Sequence, residues 1–271
     1  MTLPNNTLLE LAGIGKCFGG LTALSAVSLH IQRGEIYGLI GPNGAGKTTL
    51  FNIITGLYQL DSGSFTFNGQ AYARSKPHVL AQAGIARTFQ NIRLFANMTA
   101  LENVMVGRHL RTHAGIWGAL SHSRSARAEE QAIAERAHEL LRYVGIHRPS
   151  NTLAKNLSYG EQRRLEIARA LATEPKLLAL DEPAAGMNAT ETESLKDLMK
   201  KIRETGITVL LIEHDVKLIM GLCDRVAVLD YGKKIAEGVA EEVRNDAAVI
   251  AAYLGGDADI PQAEHDLEDG A

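Results

Sequence analysis

The chain has 271 residues, 45% hydrophobic and 22% charged, which suits a globular protein with a sizeable core and excludes a disordered or fibrous one. Its net charge of −3 argues against a nucleic-acid partner, which would need a strongly basic face. Cys17 and Cys223 lie far apart with no C-x-x-C partner, so no disulfide framework or zinc site is expected, and both read as small buried residues.

No basic segment followed by an apolar core opens the sequence, and no apolar run approaches the ~20 residues that span a bilayer. The expectation is a cytosolic chain unless something else holds it at a membrane. Residues 8–12 and 27–31 alternate apolar and polar side chains on either side of Gly19-Gly20, which predicts an antiparallel sheet. The run 36–40 is short and apolar and ends at Gly41. It predicts a buried strand leading into a glycine-rich turn and then a helix over 46–55, stopped by Gly56.

From 91 to 174 the periodicity is helical, with Ile133, Ala137, Leu140, Leu141 and Val144 on one face, which predicts a helical subdomain. Within it, residues 111–127 are rich in Gly, Ser, His and Arg around Trp117 and read as a surface insertion. The runs 177–180 and 209–212 read as buried strands on either side of a helix carrying Leu195, Leu198, Met199 and Ile202. That alternation implies βαβ units and a parallel sheet. Residues 255–271 hold six acidic residues and no Lys or Arg, and read as a solvated tail.

Three motifs carry chemistry. Gly41-Pro42-Asn43-Gly44-Ala45-Gly46-Lys47-Thr48 fits G-x-x-x-x-G-K-[ST], and Thr49 continues it. Small residues there let backbone N–H groups close around phosphates, while Lys47 would reach the outer ones and Thr48 would ligate Mg²⁺. The apolar run 177–180 ends in Asp181-Glu182, at the strand end where open α/β sheets bind ligands. Asp181 is placed to hold Mg²⁺ through water, and Glu182 to polarise an attacking water. The stretch Leu157-Ser158-Tyr159-Gly160-Glu161-Gln162 admits two compatible readings. Ser158 with Glu161 is a capping box opening a helix over 163–171, and the same helix start with a free hydroxyl is an anion seat.

With these motifs in this order, the chain resembles the ATP-binding cassette (ABC) family from about Leu8 to Leu254, the stretch 157–162 standing as that family's signature. The resemblance implies an α/β fold: a P-loop NTPase core on a mostly parallel sheet, an antiparallel β subdomain and an inserted α-helical subdomain. The ATPase domain would run over 7–254, with core and β subdomain in 7–90 and 175–254, the helical part in 91–174 and the acidic tail beyond. It further implies that the signature of one cassette closes on the ATP held by another, so that two subunits, identical or different, sandwich two nucleotides.

Individual positions follow from the family. Phe18 matches the aromatic that stacks on adenine, an ordinary sheet-core residue being the alternative. Gln90 matches the glutamine that approaches Mg²⁺ and the attacking water and that couples the site to the helical subdomain. His214 matches the histidine that contacts the γ-phosphate, although a lone histidine is more often structural. Asn188 stands where many cassettes carry aspartate, which puts the inter-subunit signalling assigned to that position in doubt.

Residues 87–95, the insertion, 163–171, 181–188 and 210–215 together look like the ATP-binding subunits of branched-chain amino acid importers. Amide and urea importers and lipopolysaccharide exporters are the neighbouring alternatives. The implied partners are a second cassette, two integral-membrane permease subunits docked near Leu94 and Phe95 at the cytoplasmic face of the inner membrane, and, indirectly, a periplasmic solute-binding protein. A soluble repair or translation cassette would carry two fused cassettes or a long coiled-coil insertion, and a phosphoryl-transfer kinase would not need residues 157–162.

Overall fold

A computed structural model of the chain describes residues 6–72, 75–108 and 124–254. The chain opens with β1 (Thr7–Phe18) and β2 (Leu21–Gln32), passes through β3 (Ile36–Ile40) into α1 (Lys47–Ile54), and returns as β4 (Ser62–Phe67) and β5 (Gln70–Ala71). Helix α2 (Pro77–Ala83) and β6 (Ile85–Arg87) precede three helices, α3 (Ala100–Arg108), α4 (Arg124–Tyr143) and α5 (Tyr159–Leu171). Then β7 (Leu177–Asp181), α6 (Ala189–Glu204), β8 (Thr208–Ile212), α7 (Val216–Leu222) and β9 (Arg225–Asp230) alternate. A hairpin to β10 (Lys233–Gly238) leads to α8 (Ala240–Arg244) and α9 (Ala247–Leu254).

Two sheets result. One is four-stranded and antiparallel, in the order β2-β1-β4-β5. The other runs β10-β9-β3-β8-β7-β6 and is parallel throughout except for the β10 edge. Period-two alternation sends each central strand into two cores. Tyr37, Leu39, Leu177, Ala179, Leu210, Ile212, Ala227 and Leu229 join α1 and the antiparallel sheet on one side. Ile36, Ile40, Leu178, Leu180, Val209, Leu211, Val226 and Val228 face α3 to α7 on the other. Burial on both faces is why these strands read as continuous apolar runs. The apolar faces of α4 (Ala137, Leu140, Leu141) and α6 (Leu195, Leu198, Met199, Ile202) join that second core, as their helical spacing predicts.

Three expectations need correction. In β1 the core face is Leu9, Leu11 and Ile14, with Ala12 exposed and Leu8 also buried, because register shifts between Thr7 and Leu9 and between Leu11 and Ile14 break the simple alternation. Cys17 is exposed rather than buried, since it lies at the end of β1 beyond the last core residue, Ile14; only Cys223 is buried. Helix α5 starts at Tyr159 and not at Arg163, because the capping box sets its N-cap at Ser158. Of the expected insertion, 111–123 lies outside the described residues while 124–127 open α4, and the acidic tail 255–271 lies outside them too. Among the described residues no helix is long and apolar enough to cross a membrane.

Candidate nucleotide-handling site

The strand β3 delivers the chain at Gly41 into a loop that only glycine can follow. Gly41 and Gly46 have φ of 148° and 102°. A Cβ at Gly41 would lie 2.1 Å from the Leu229 carbonyl oxygen, and one at Gly46 would lie 2.8 Å from that of Ala23. Helix α1 starts after Gly46 with no side-chain cap, so its first N–H groups are left for an incoming acceptor. Lys47 is buried, and its Nζ donates to the carbonyl oxygens of Gly41 (2.6 Å) and Pro42 (3.0 Å), which holds the ammonium inside the curl of the loop. Burial pulls its pKa below the ordinary lysine value, and the negative charge of Glu182 opposes that pull.

The loop floors a cleft of about 450 Å³ lined by Asn43, Gly44, Ala45, Gly46, Lys47, Thr48 and Thr49, with Phe18, Tyr231 and Glu182 on its walls. That volume falls in the range of small-ligand pockets. Phe18 is 42% exposed on the rim, with Tyr58 packed against it edge-on at 5.2 Å and the Lys16 ammonium 5.3 Å from its ring. Its exposure removes the sheet-core alternative.

At the neighbouring strand ends the carboxylates diverge. Asp181 closes β7 in a buried position, 3.8 Å from the Arg87 guanidinium, which is itself fixed by Asn52 (3.0 Å) and Thr55 (2.8 Å). Burial raises the Asp181 pKa, and Arg87 partly offsets the rise. Glu182 adopts φ 46°, a conformation that costs a non-glycine residue on the order of 1 kcal/mol, while its N–H bonds to Ile212 on β8 (2.9 Å). That backbone turns its carboxylate away from Asp181's environment and toward Gln90, whose Nε2 donates to Glu182 Oε2 at 2.7 Å. His214 Nδ1 lies 3.7 Å from the same oxygen. Gln90, Glu182 and His214 therefore form one cluster beside the phosphate loop.

Residues 157–162 are elsewhere: none of the six lines the cleft. Leu157 is buried and accepts a bond at its carbonyl from Gln162 (2.9 Å). Ser158 and Glu161 form a full capping box, the Ser158 N–H donating to Glu161 (2.9 Å) and the Glu161 N–H donating to Ser158 Oγ (3.3 Å). The Ser158 hydroxyl also donates to Glu161 Oε2 (2.9 Å), so it is engaged by the cap and not free as expected. Gly160 is buried against the side chain of Glu191, while Tyr159 is 45% exposed. Asn188 is explained locally. It caps α6 reciprocally with Glu191, both bonds at 3.0 Å, a position where asparagine serves as well as aspartate.

Four residues near this cluster escape motif reading. Arg87 braces Asp181, and Tyr231 lines the cleft from the β9–β10 turn. Buried Glu213 accepts the Ala184 N–H at 3.0 Å, and fully buried Arg163 donates to the backbone of Phe89 and Gln90. For Arg87, Glu213 and Arg163 the available signal was a charged residue placed inside an apolar or strand-end context, which is weaker than any motif, whereas Tyr231, an exposed turn residue, offered none.

Comparison with known proteins places the chain in a family. The chain matches the ABC transporter family model over residues 24–185, and the model for the branched-chain amino acid ATP-binding cassette transporter over 233–259. It is 44% identical over 249 residues to the high-affinity branched-chain amino acid transport ATP-binding protein of Pseudomonas aeruginosa, covering 92% of this chain and 98% of that one. A crystal structure of the ADP conformation of an ATP-binding cassette of an ABC transporter superposes with a TM-score of 0.80 at 32% identity, covering 92% of this chain and 99% of that one. A dimeric cassette in a post-hydrolysis state, bound to ADP and Pi, superposes with a TM-score of 0.73 at 28% identity, covering 86% and 99%. The chain belongs to the ABC transporter family and is one of its ATP-binding, ATP-hydrolysing cassettes.

Proposed function

We propose that this cassette energises uptake of branched-chain amino acids, or of related small amino acids and amides, through separate permease subunits at the cytoplasmic face of the membrane. The observation that carries the reading is the division of the chemistry: phosphate loop and Glu182 share one cleft, whereas residues 157–162 lie outside it. Such an arrangement is complete only when the signature of a second cassette closes over the cleft. The match over 233–259 to the branched-chain family model, and the named solute of the relative, support the class of cargo.

In this reading Phe18 stacks on adenine, residues 41–49 wrap the phosphates, and Lys47 swings from its own loop carbonyls onto the γ-phosphate. Glu182 orients water for in-line attack, Gln90 and His214 holding that carboxylate and the terminal phosphate from either side. Ser158 and Gly160 of the opposing cassette close the other face of the nucleotide. Thr48, Asp181 and Gln90 supply hard oxygen donors of the kind Mg²⁺ takes beside phosphates, and no larger acidic cage is present among the described residues. Bound there, the ion would neutralise phosphate charge.

The docking surface for the permease is the segment around Leu94 and Phe95. Buried Asn103 clamps its backbone, accepting from the Phe95 N–H (2.9 Å) and donating to the Phe95 carbonyl (3.1 Å), which leaves the Phe95 ring outside on a rigid base. Reconstitution with the permeases encoded beside it is the test. Branched-chain amino acids, or related small amino acids or amides, with their binding protein should stimulate ATP hydrolysis; stimulation by urea alone, or by lipopolysaccharide, would replace the cargo assignment.

A further inference from the structure

The signature helix and the catalytic cluster of the same chain are joined by one side chain. Arg163, on the first turns of α5, is 0% exposed. Its Nη1 donates to the Phe89 carbonyl at 2.6 Å and to Glu166 at 3.1 Å, and its Nη2 donates to the Gln90 carbonyl at 2.7 Å and to the Tyr159 hydroxyl oxygen at 3.3 Å. Its Nε has no partner, so the guanidinium is held by what its two terminal nitrogens reach. Glu166, buried beside it, also accepts the Arg93 N–H at 3.2 Å, which pins the far side of the same segment. The neighbouring Arg164 is unrelated to this contact, bonding instead to Val144 (2.8 Å) and Ser194 (2.6 Å).

Both ends of the connection lie at functional groups. Tyr159 belongs to the signature and also borders the loop after Glu182, since a Cβ at Gly186 would stand 3.3 Å from its ring. Gln90, whose carbonyl Arg163 grips, donates through its side chain to Glu182 at 2.7 Å. We infer that Arg163 is a positioning residue, relaying movement of Tyr159 and the α5 start through the backbone of Gln90 to the Glu182 carboxylate. Because the signature faces the nucleotide of the opposing cassette, this relay lets one nucleotide set the geometry of the carboxylate that acts on the other. The inference rests on the roles proposed above for Glu182 and the signature.

A planar fork can grip two carbonyls and a phenol at once, whereas an ammonium on the same stem is a point donor and cannot reproduce that geometry. Arg163→Lys and Tyr159→Phe, purified as full chains, would be compared with the unaltered protein in steady-state ATP hydrolysis and in equilibrium binding of a fluorescent ATP analogue. Arg163→Lys should keep nucleotide affinity within about twofold while kcat falls about 10- to 100-fold, the scale of a slightly misplaced catalytic group. The Hill coefficient should be above one in the unaltered protein and should drop toward one in both variants. Should Arg163→Lys fail to fold, Tyr159→Phe decides alone, because it removes one oxygen from a half-exposed side chain. A non-cooperative unaltered protein, or folded variants with kcat within twofold and an unchanged Hill coefficient, would overturn the relay. Glu182→Gln run in parallel separates the failures: if it too leaves turnover intact, the carboxylate assignment falls first.

Discussion

The phosphate loop and the signature are both helix starts, yet they are built in opposite ways. Helix α1 begins without a side-chain cap, after a left-handed glycine, at the bottom of a cleft with a lysine folded against it. Helix α5 begins with its cap filled reciprocally by Ser158 and Glu161 on the surface. The first keeps its N–H groups for a ligand, while the second is already satisfied and offers a finished, rigid edge. On the proposed reading, the chain carries both halves of a phosphate site without assembling them, one concave and receptive, the other self-contained and ready to press against a partner.

The largest loss should come at Lys47. Lys47→Ala should weaken ATP binding about 100-fold, the value of lost charge-assisted bonds to phosphate, in equilibrium binding by the isolated chain. Unchanged affinity would mean the receptive half lies elsewhere. Ser158→Ala should act differently: affinity of the isolated chain stays the same, ATP-dependent pairing of chains in light scattering weakens, and turnover falls about tenfold. Loss of the cap costs about 1 kcal/mol and should lower the melting temperature by roughly 2–4 °C. If nucleotide affinity of the single chain falls with it, the two halves are not separate.

The smallest effect on stability concerns Asp181. Burial lifts its pKa above the unfolded value even with Arg87 nearby, so folding favours the protonated form, and that contribution is lost as pH rises through the folded-state value. At pH 7 the charged carboxylate is therefore a cost. Asp181→Asn should raise the melting temperature there by roughly 1–3 °C, with the gap closing toward about pH 4, while metal-dependent turnover is lost. A lower melting temperature at neutral pH would show that the Arg87 contact outweighs the burial.

Much of this was legible in the sequence because it depends on local pattern. The runs ending at Ile40, Leu180 and Ile212 are apolar on both faces, and only a strand buried on both sides asks for that. Glycines at 41 and 46 were legible because close backbone approach leaves no alternative. Long-range events were not. The β1 alternation misled at Leu8 and Ala12 because bulges reset the period, and the exposed place of Cys17 depends on where the core ends. Arg163 looks like any helix-surface arginine until the Gln90 loop, far away in sequence, is laid over it. Phe18 and His214 needed exposure and distance, respectively, before their alternatives could be weighed.

The role proposed for Glu182, which a left-handed backbone turns out of line, is to activate water in a cleft otherwise built to bind. Glu182→Gln keeps the shape and removes the charge. Nucleotide binding and single-turnover hydrolysis measured on that variant should give ATP affinity within about threefold of the unaltered chain and hydrolysis slowed at least ~100-fold. Turnover within a few-fold of the unaltered chain, with binding intact, would contradict it.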